Sequence, residues 1–153
     1  MFHVSKWEDT LNVLFIDDEA VFLETLMKRM KKRNINVTGT DSGKQALVLL
    51  NRNHADVVVM NVKNQGMYGI QTLREIKLTD SLVEVIMLTG YASLEVAQLG
   101  MELGAFDFLV KPVDIDKLLH KIQDAYKQKV IQENKIKKIK QMIQKLEKKA
   151  LLK

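Results

Sequence analysis

Leu11-Asn12-Val13-Leu14-Phe15-Ile16, followed at once by Asp17-Asp18-Glu19, is the stretch that decides the fold. Five of its first six residues are apolar and do not alternate with polar ones. The run is short and stops at two adjacent carboxylates. A strand that is apolar on both faces belongs in a parallel sheet covered by helices above and below. Working outward, Glu19 to Arg33 has helical spacing, with Phe22, Leu23, Leu26 and Met30 on one side. Ile35-Asn36-Val37 is a short second strand ending near Gly39. A helix follows from Gly43 to Asn51, with the Ser42 hydroxyl placed to cap it.

The alternation continues to the end of the chain. Asp56 to Met60 is a third strand, Ile70 to Leu78 a helix, and Glu84 to Leu88 a fourth strand. Ser93 is placed to cap a helix running through Met101, and Gly104 stands just past its end. Phe106 to Val110 is the fifth strand. After Pro112, the only proline, the pattern is helical throughout. Five strands alternating with five helices predict a doubly wound α/β sheet, because parallel neighbours are joined by right-handed crossovers. Such sheets bind ligands beyond the carboxyl ends of their strands.

Those ends carry the chemistry. Strand one ends in Asp17-Asp18, strand three in Asn61, strand four in Thr89-Gly90 and strand five in Lys111-Pro112. Two carboxylates suit a hydrated Mg²⁺, which prefers oxygen ligands, and a lysine offers a point charge for a phosphoryl group. Each residue alone has an ordinary reading: Asp17 or Asp18 as a helix cap, Thr89 as turn chemistry, Lys111 as a solvated lysine. Their coincidence at four strand ends is what favours a site.

On these residues, together with Thr89-Gly90-Tyr91-Ala92 and Gly104-Ala105-Phe106-Asp107-Phe108-Leu109-Val110-Lys111-Pro112, the chain resembles the receiver domains of bacterial two-component response regulators, from about Leu11 to Gln128. The resemblance implies a flavodoxin-like sheet in the order 2-1-3-4-5. It implies Asp17 and Asp18 as Mg²⁺ ligands, Thr89 and Lys111 on the phosphoryl group, and Phe108 as the aromatic that changes rotamer on activation. It also implies a cis Lys111–Pro112 bond. The family's phosphoacceptor, however, is an aspartate at the end of strand three, and here that position is Asn61. An amide lacks the anionic oxygen needed to attack phosphorus. The loop beyond it, Asn64-Gln65-Gly66-Met67-Tyr68-Gly69, also departs from the family's Met-Pro pattern at Asn64, Gln65 and Tyr68, which favours natural drift of the site.

The expected function is therefore a receiver module of phosphorelay signalling that works through phosphorylation-independent protein contacts, with Mg²⁺ weak or absent. The alternative is a conventional phosphoacceptor carrying an Asp-to-Asn change, cut before an output domain. The expected partner is a sensor histidine kinase or another signalling protein. An enzyme or cofactor binder of the same topology is disfavoured: no Gly-x-Gly-x-x-Gly follows strand one, and Asp17-Asp18-Glu19 would repel a flavin phosphate. His3, His54 and His120 are scattered and suggest neither metal ligands nor a catalytic base.

The bulk properties agree with this. The chain has 153 residues, enough for one domain and an extension. It has no cysteine, its longest apolar runs are too short to span a bilayer, and its start lacks the order of a signal peptide, so the expected location is cytoplasmic without membrane insertion. Residues 129–153 hold nine lysines against two glutamates, +7 of the chain's net +5, which leaves −2 for the first 128 residues. The chain thus divides into an extension (1–10), a mildly acidic receiver (11–128) and a basic helical tail or linker (129–153). Leu118, Leu119 and Ile122 should face the core. Ile136, Ile139, Ile143, Leu146 and Ala150 form a coiled-coil seam, from which a tail-assisted homodimer is expected. Nucleic acid is not the expected partner, since no aromatic lies beyond Tyr126.

Overall fold

In a computed structural model, residues 11–63 and 68–152 are described. The extension 1–10 and the loop residues Asn64, Gln65, Gly66 and Met67 lie outside them, as do Lys153 and the Tyr68 side chain. The elements are β1 (Asn12–Ile16), α1 (Ala20–Lys31), β2 (Asn36–Thr40), α2 (Gly43–Arg52), β3 (Val57–Val62), α3 (Tyr68–Thr79), β4 (Glu84–Thr89), a 3-10 turn (Tyr91–Ser93), α4 (Leu94–Glu102), β5 (Asp107–Val110) and α5 (Ile115–Leu152). All strand pairs are parallel, and the order is β2-β1-β3-β4-β5. This is the doubly wound order that the resemblance implies, with β1 and β3 side by side where the winding reverses.

Alternation along the strands builds two cores. Leu14 and Ile16 point to one face with Val58, Met60, Val85 and Met87, where α2, α3 and α4 pack. Val13 and Phe15 point to the other with Val57, Val59, Ile86 and Leu88, where α1 and α5 pack. Period-two geometry thus explains the apolar runs of β1, β3 and β4: apart from Asn12, Asn61 and Glu84, which are partly exposed, every position is buried on one face or the other. Phe15 and Met60 are each only 1% exposed.

The helix ends follow local chemistry, with one difference from expectation. Ser42 is the N-cap of α2, its hydroxyl accepting from the Gln45 amide at 3.2 Å. Ser93 also occupies the N-cap of α4, but its side chain makes no capping bond. The 3-10 turn before it takes up the entry into the helix, with the Ser93 amide donating to the Gly90 carbonyl at 3.0 Å. Gly104 ends α4 with φ +106, a left-handed conformation that a side chain would strain. β2 also continues past Gly39 to Thr40.

α5 is the longest element, 38 residues, or about 57 Å at the usual rise of 1.5 Å per residue. Leu118 and Ile122 are fully buried and Leu119 is partly buried against the same core, as expected. The buried face continues through Ala125 to Lys129, the first residue that the charge count assigns to the tail. Beyond it, Ile136, Ile139, Ile143 and Leu146 are exposed, the last at 64%.

Candidate functional site

The carboxyl ends of β1 and β3 meet because the two strands are neighbours in register, Ile16 beside Met60. Asp17 follows β1 and is buried at 4% exposure. Its amide donates to the Thr40 carbonyl at 3.0 Å, and its Oδ1 accepts the Glu19 amide at 2.9 Å. These bonds hold the carboxylate in place and open the turn into α1. Its other oxygen, Oδ2, faces Lys111 Nζ at 3.2 Å. Lys111 is delivered from β5 by a bond from its amide to the Thr89 carbonyl, 2.7 Å, and is followed by a cis Lys111–Pro112 peptide. Its ammonium lies 4.0 Å from Glu19 and 4.2 Å above the centre of the Phe22 ring.

Asp18 takes a different partner. Lys63 Nζ lies 2.9 Å from its carboxylate, and both side chains are about half exposed. The Lys63 hydrogen bond holds the Asp18 carboxyl below the ordinary carboxylate range, while the Asp18 contact raises the Lys63 ammonium above the ordinary lysine value. Asn61, two residues before Lys63 on β3, is partly exposed at the same end of the sheet. Asp17, Asp18, Asn61 and Lys63 line a cleft of about 370 Å³, together with Asp41 and Ser42 before α2 and Lys44 in its first turn. Thr89 and Lys111 are not among the cleft's walls. Thr89 is fully buried, with its hydroxyl donating to the Gly90 carbonyl at 3.0 Å. Phe108 is partly buried against the α2–α4 core.

The strand-end residues thus come together as two ion pairs, Asp17–Lys111 and Asp18–Lys63, beside an amide. This donor set fits Mg²⁺ poorly. Each carboxylate already has an ammonium partner, and Asn61 supplies no charge. Among the described residues no group of three or more acidic, histidine or cysteine side chains is placed to hold a metal. Lys63 was not singled out from the sequence, although its place two residues after Asn61 put it at the same strand end.

A second polar cluster sits at the opposite, amino end of the sheet. Lys129 Nζ of α5 lies 2.6 Å from Asp56 Oδ1 and 2.8 Å from His54 Nε2, and His54 Nε2 lies 2.9 Å from the same Asp56 oxygen. Asp56 Oδ2 accepts the Asn12 amide at 2.8 Å. His54, set aside as scattered, is therefore part of a structural anchor for α5. The clue was Lys129 itself, next in phase after Leu118, Ile122 and Ala125.

A parallel five-stranded sheet in this order, with acidic residues after β1 and a lysine–proline pair after β5, defines the receiver class of signalling modules. Residues 13–123 match the response regulator receiver domain family, and the chain belongs to that family. It is 33% identical over 117 residues to the transcriptional regulatory protein ZraR of Escherichia coli (strain K12), a match covering 76% of this chain and 26% of ZraR. It is 34% identical over 117 residues to the transcriptional regulatory protein GlrR of the same organism, again over 76% of this chain and 26% of that protein. The chain therefore spans about a quarter of the length of these relatives. Among solved structures it resembles a response regulator receiver domain protein from Clostridium thermocellum, with TM-score 0.74 and 32% identity over 79% of this chain and 98% of that one. No helix among the described residues is long and apolar enough to cross a membrane.

Proposed function

We propose that this receiver signals without phosphorylation at position 61, through protein contacts made by its α4–β5–α5 face. The observation that carries this reading is Asn61 itself: it stands at the carboxyl end of β3, beside Asp17 and Asp18, where the family's nucleophile belongs. An amide there offers no anionic oxygen to a phosphohistidine or to acetyl phosphate. The retained Asp17 and Lys111 then serve as a structural pair, since a half-buried lysine needs a counter-charge. Thr89 and Phe108 keep their switch positions without a phosphoryl group to read. Mg²⁺ binding is weak or absent, and the module has no enzymatic activity of its own. The partner is a sensor histidine kinase or another signalling protein in the cytoplasm, and the tail supports a homodimer.

The persistence of Asp17, Asp18, Thr89 and Lys111 together favours a second reading, a conventional phosphoacceptor altered only at position 61. Treatment with acetyl phosphate and Mg²⁺, followed by intact-mass measurement, tests the first reading: no phosphoryl adduct is expected. A stable adduct mapped to Asn61 would overturn it. The Asn61→Asp variant separates the two. Full labelling despite Asn64, Gln65 and Tyr68 supports the altered conventional receiver, and poor labelling supports a site that has drifted as a whole.

A further inference from the structure

We propose that Lys63 is a built-in cation: its ammonium holds the place at Asp18 that a divalent metal would take, so that Mg²⁺ can enter only by displacing it. This rests on the reading that position 61 no longer accepts phosphate.

Charge balance leads to the assignment. With Asn61 neutral, the carboxylates in hydrogen-bond contact with an ammonium at this end of the cleft are Asp17 and Asp18, with Glu19 4.0 Å from Lys111. The ammonium groups facing them are also two, Lys111 at 3.2 Å and Lys63 at 2.9 Å. A site with a third carboxylate in place of Asn61 would carry one more negative charge and could accommodate a dication beside one lysine. Loss of one negative charge and exchange of a dication for an ammonium cancel each other. The exchange therefore leaves the charge of the cluster unchanged, about −1 once Glu19 at 4.0 Å from Lys111 is counted, whereas Mg²⁺ entering beside both lysines would make it positive.

Geometry points the same way. The Lys63 ammonium reaches both oxygens of the Asp18 carboxylate within 2.9 Å. A metal bound there would have to take one of those oxygens. Mg²⁺ demands near-octahedral oxygen coordination and sheds water reluctantly, whereas an ammonium needs only hydrogen-bond contact. Lys63 is also well placed by the chain. It lies immediately after Val62, the last residue of β3, and its tether keeps the local ammonium concentration high whatever the metal concentration outside. Because the Lys63 and Asp18 side chains are half exposed, the pair is solvated and the lock is a modest one.

The test is an Mg²⁺ titration of the full chain, followed by the backbone amide shifts of Asp17, Asp18 and Asn61. Four proteins are compared: the parent, Lys63→Ala, Asn61→Asp and the double variant. Removing one unit positive charge from a solvated site should tighten Mg²⁺ about fivefold, in the parent and again beside Asn61→Asp. Lys63→Gln, which keeps the length and removes the charge, should give the same gain. Affinities that agree within about twofold with and without Lys63, in both backgrounds, overturn the proposal. The acetyl phosphate experiment separates this failure from failure of the wider reading. A phosphoryl adduct on the parent overturns the premise at position 61, whereas an unlabelled parent whose Mg²⁺ affinity ignores Lys63 overturns only the built-in cation.

Discussion

An amide and a carboxylate are nearly the same size and differ by one charge, so Asn61→Asp is a clean probe of the cleft. Restoring the carboxylate should tighten Mg²⁺ by about tenfold or more, a difference of only ~1.4 kcal/mol. Isothermal titration of the two proteins measures it, and equal affinities would mean that position 61 does not face the metal site. Glu84 offers a second residue-scale prediction, remote from the cleft. It begins β4, where burial raises its carboxyl above the ordinary range, and Lys77 opposes that shift. A carboxyl whose folded value lies above its unfolded value binds its proton more tightly in the folded state. Its contribution to stability is therefore complete below the unfolded value and is lost as pH rises through the folded one. Glu84→Gln should accordingly be more stable than the parent at pH 7, with the gain vanishing below about pH 4. Urea unfolding at both pH values checks this. Lys77 would not be orphaned, because its ammonium also donates to the carbonyls of Ser81 and Val83 at 2.9 and 2.8 Å. At this scale the sequence was readable wherever a residue's place on a strand decides its role. Asp17, Asn61 and Lys111 are found at the strand ends where they were expected. The partner of Asp18 was not readable, because an ion pair between half-exposed side chains leaves no periodic trace.

Among the elements, α5 joins the domain to its tail, and the join is a buried charge. Lys129 is 2% exposed and Asp56 4%. Removing one partner from such a pair strands the other in a dry environment. Asp56→Ala and Lys129→Met should each cost about 3–5 kcal/mol in urea unfolding. Replacing both with apolar residues of similar volume, Asp56→Leu with Lys129→Met, should recover a substantial part of that loss. A single variant within ~0.5 kcal/mol of the parent would mean that the pair does not hold α5 to the sheet. Part of this element was legible and part was not, for a physical reason. Leu118, Leu119 and Ile122 announce a buried face by their spacing, and Ala125 extends it in the structure. Lys129 continues the same face but reads as solvent-facing, because lysine is almost never fully buried without a partner and that partner, Asp56, lies 73 residues away. Ser93 shows the opposite limit. Its residue type suits a cap and it occupies the N-cap position, yet the preceding 3-10 turn leaves its hydroxyl without a capping bond.

For the whole molecule, the uneven charge and the length of α5 raise a question of assembly. The strand order could be read from sequence only through resemblance, because periodicity identifies strands without ranking their neighbours. The tail could be read directly: one uninterrupted helix with a seam at Ile136, Ile139, Ile143, Leu146 and Ala150. The seam spaces its residues 3-4-3-4, in phase with the face that Leu118, Ile122, Ala125 and Lys129 present to the sheet. A helix this long gains little from propensity alone, so its exposed apolar stripe needs a partner or frays. If two copies pair in parallel through the seam, Lys135 and Lys140 fall at flanking positions that meet across the interface, lysine against lysine. The dimer should therefore be weak at low salt and should tighten as salt screens that repulsion, from about 50 to 500 mM NaCl. Ile139→Lys together with Ile143→Lys should abolish it. Sedimentation equilibrium of the full chain, compared with a version ending at Asn134, measures all three effects. That end point keeps Lys129 on Asp56, so loss of self-association cannot be blamed on a loosened core. A shortened chain with the same association constant as the full one would remove the tail from the interface, and association that weakens with salt would exclude the parallel pairing.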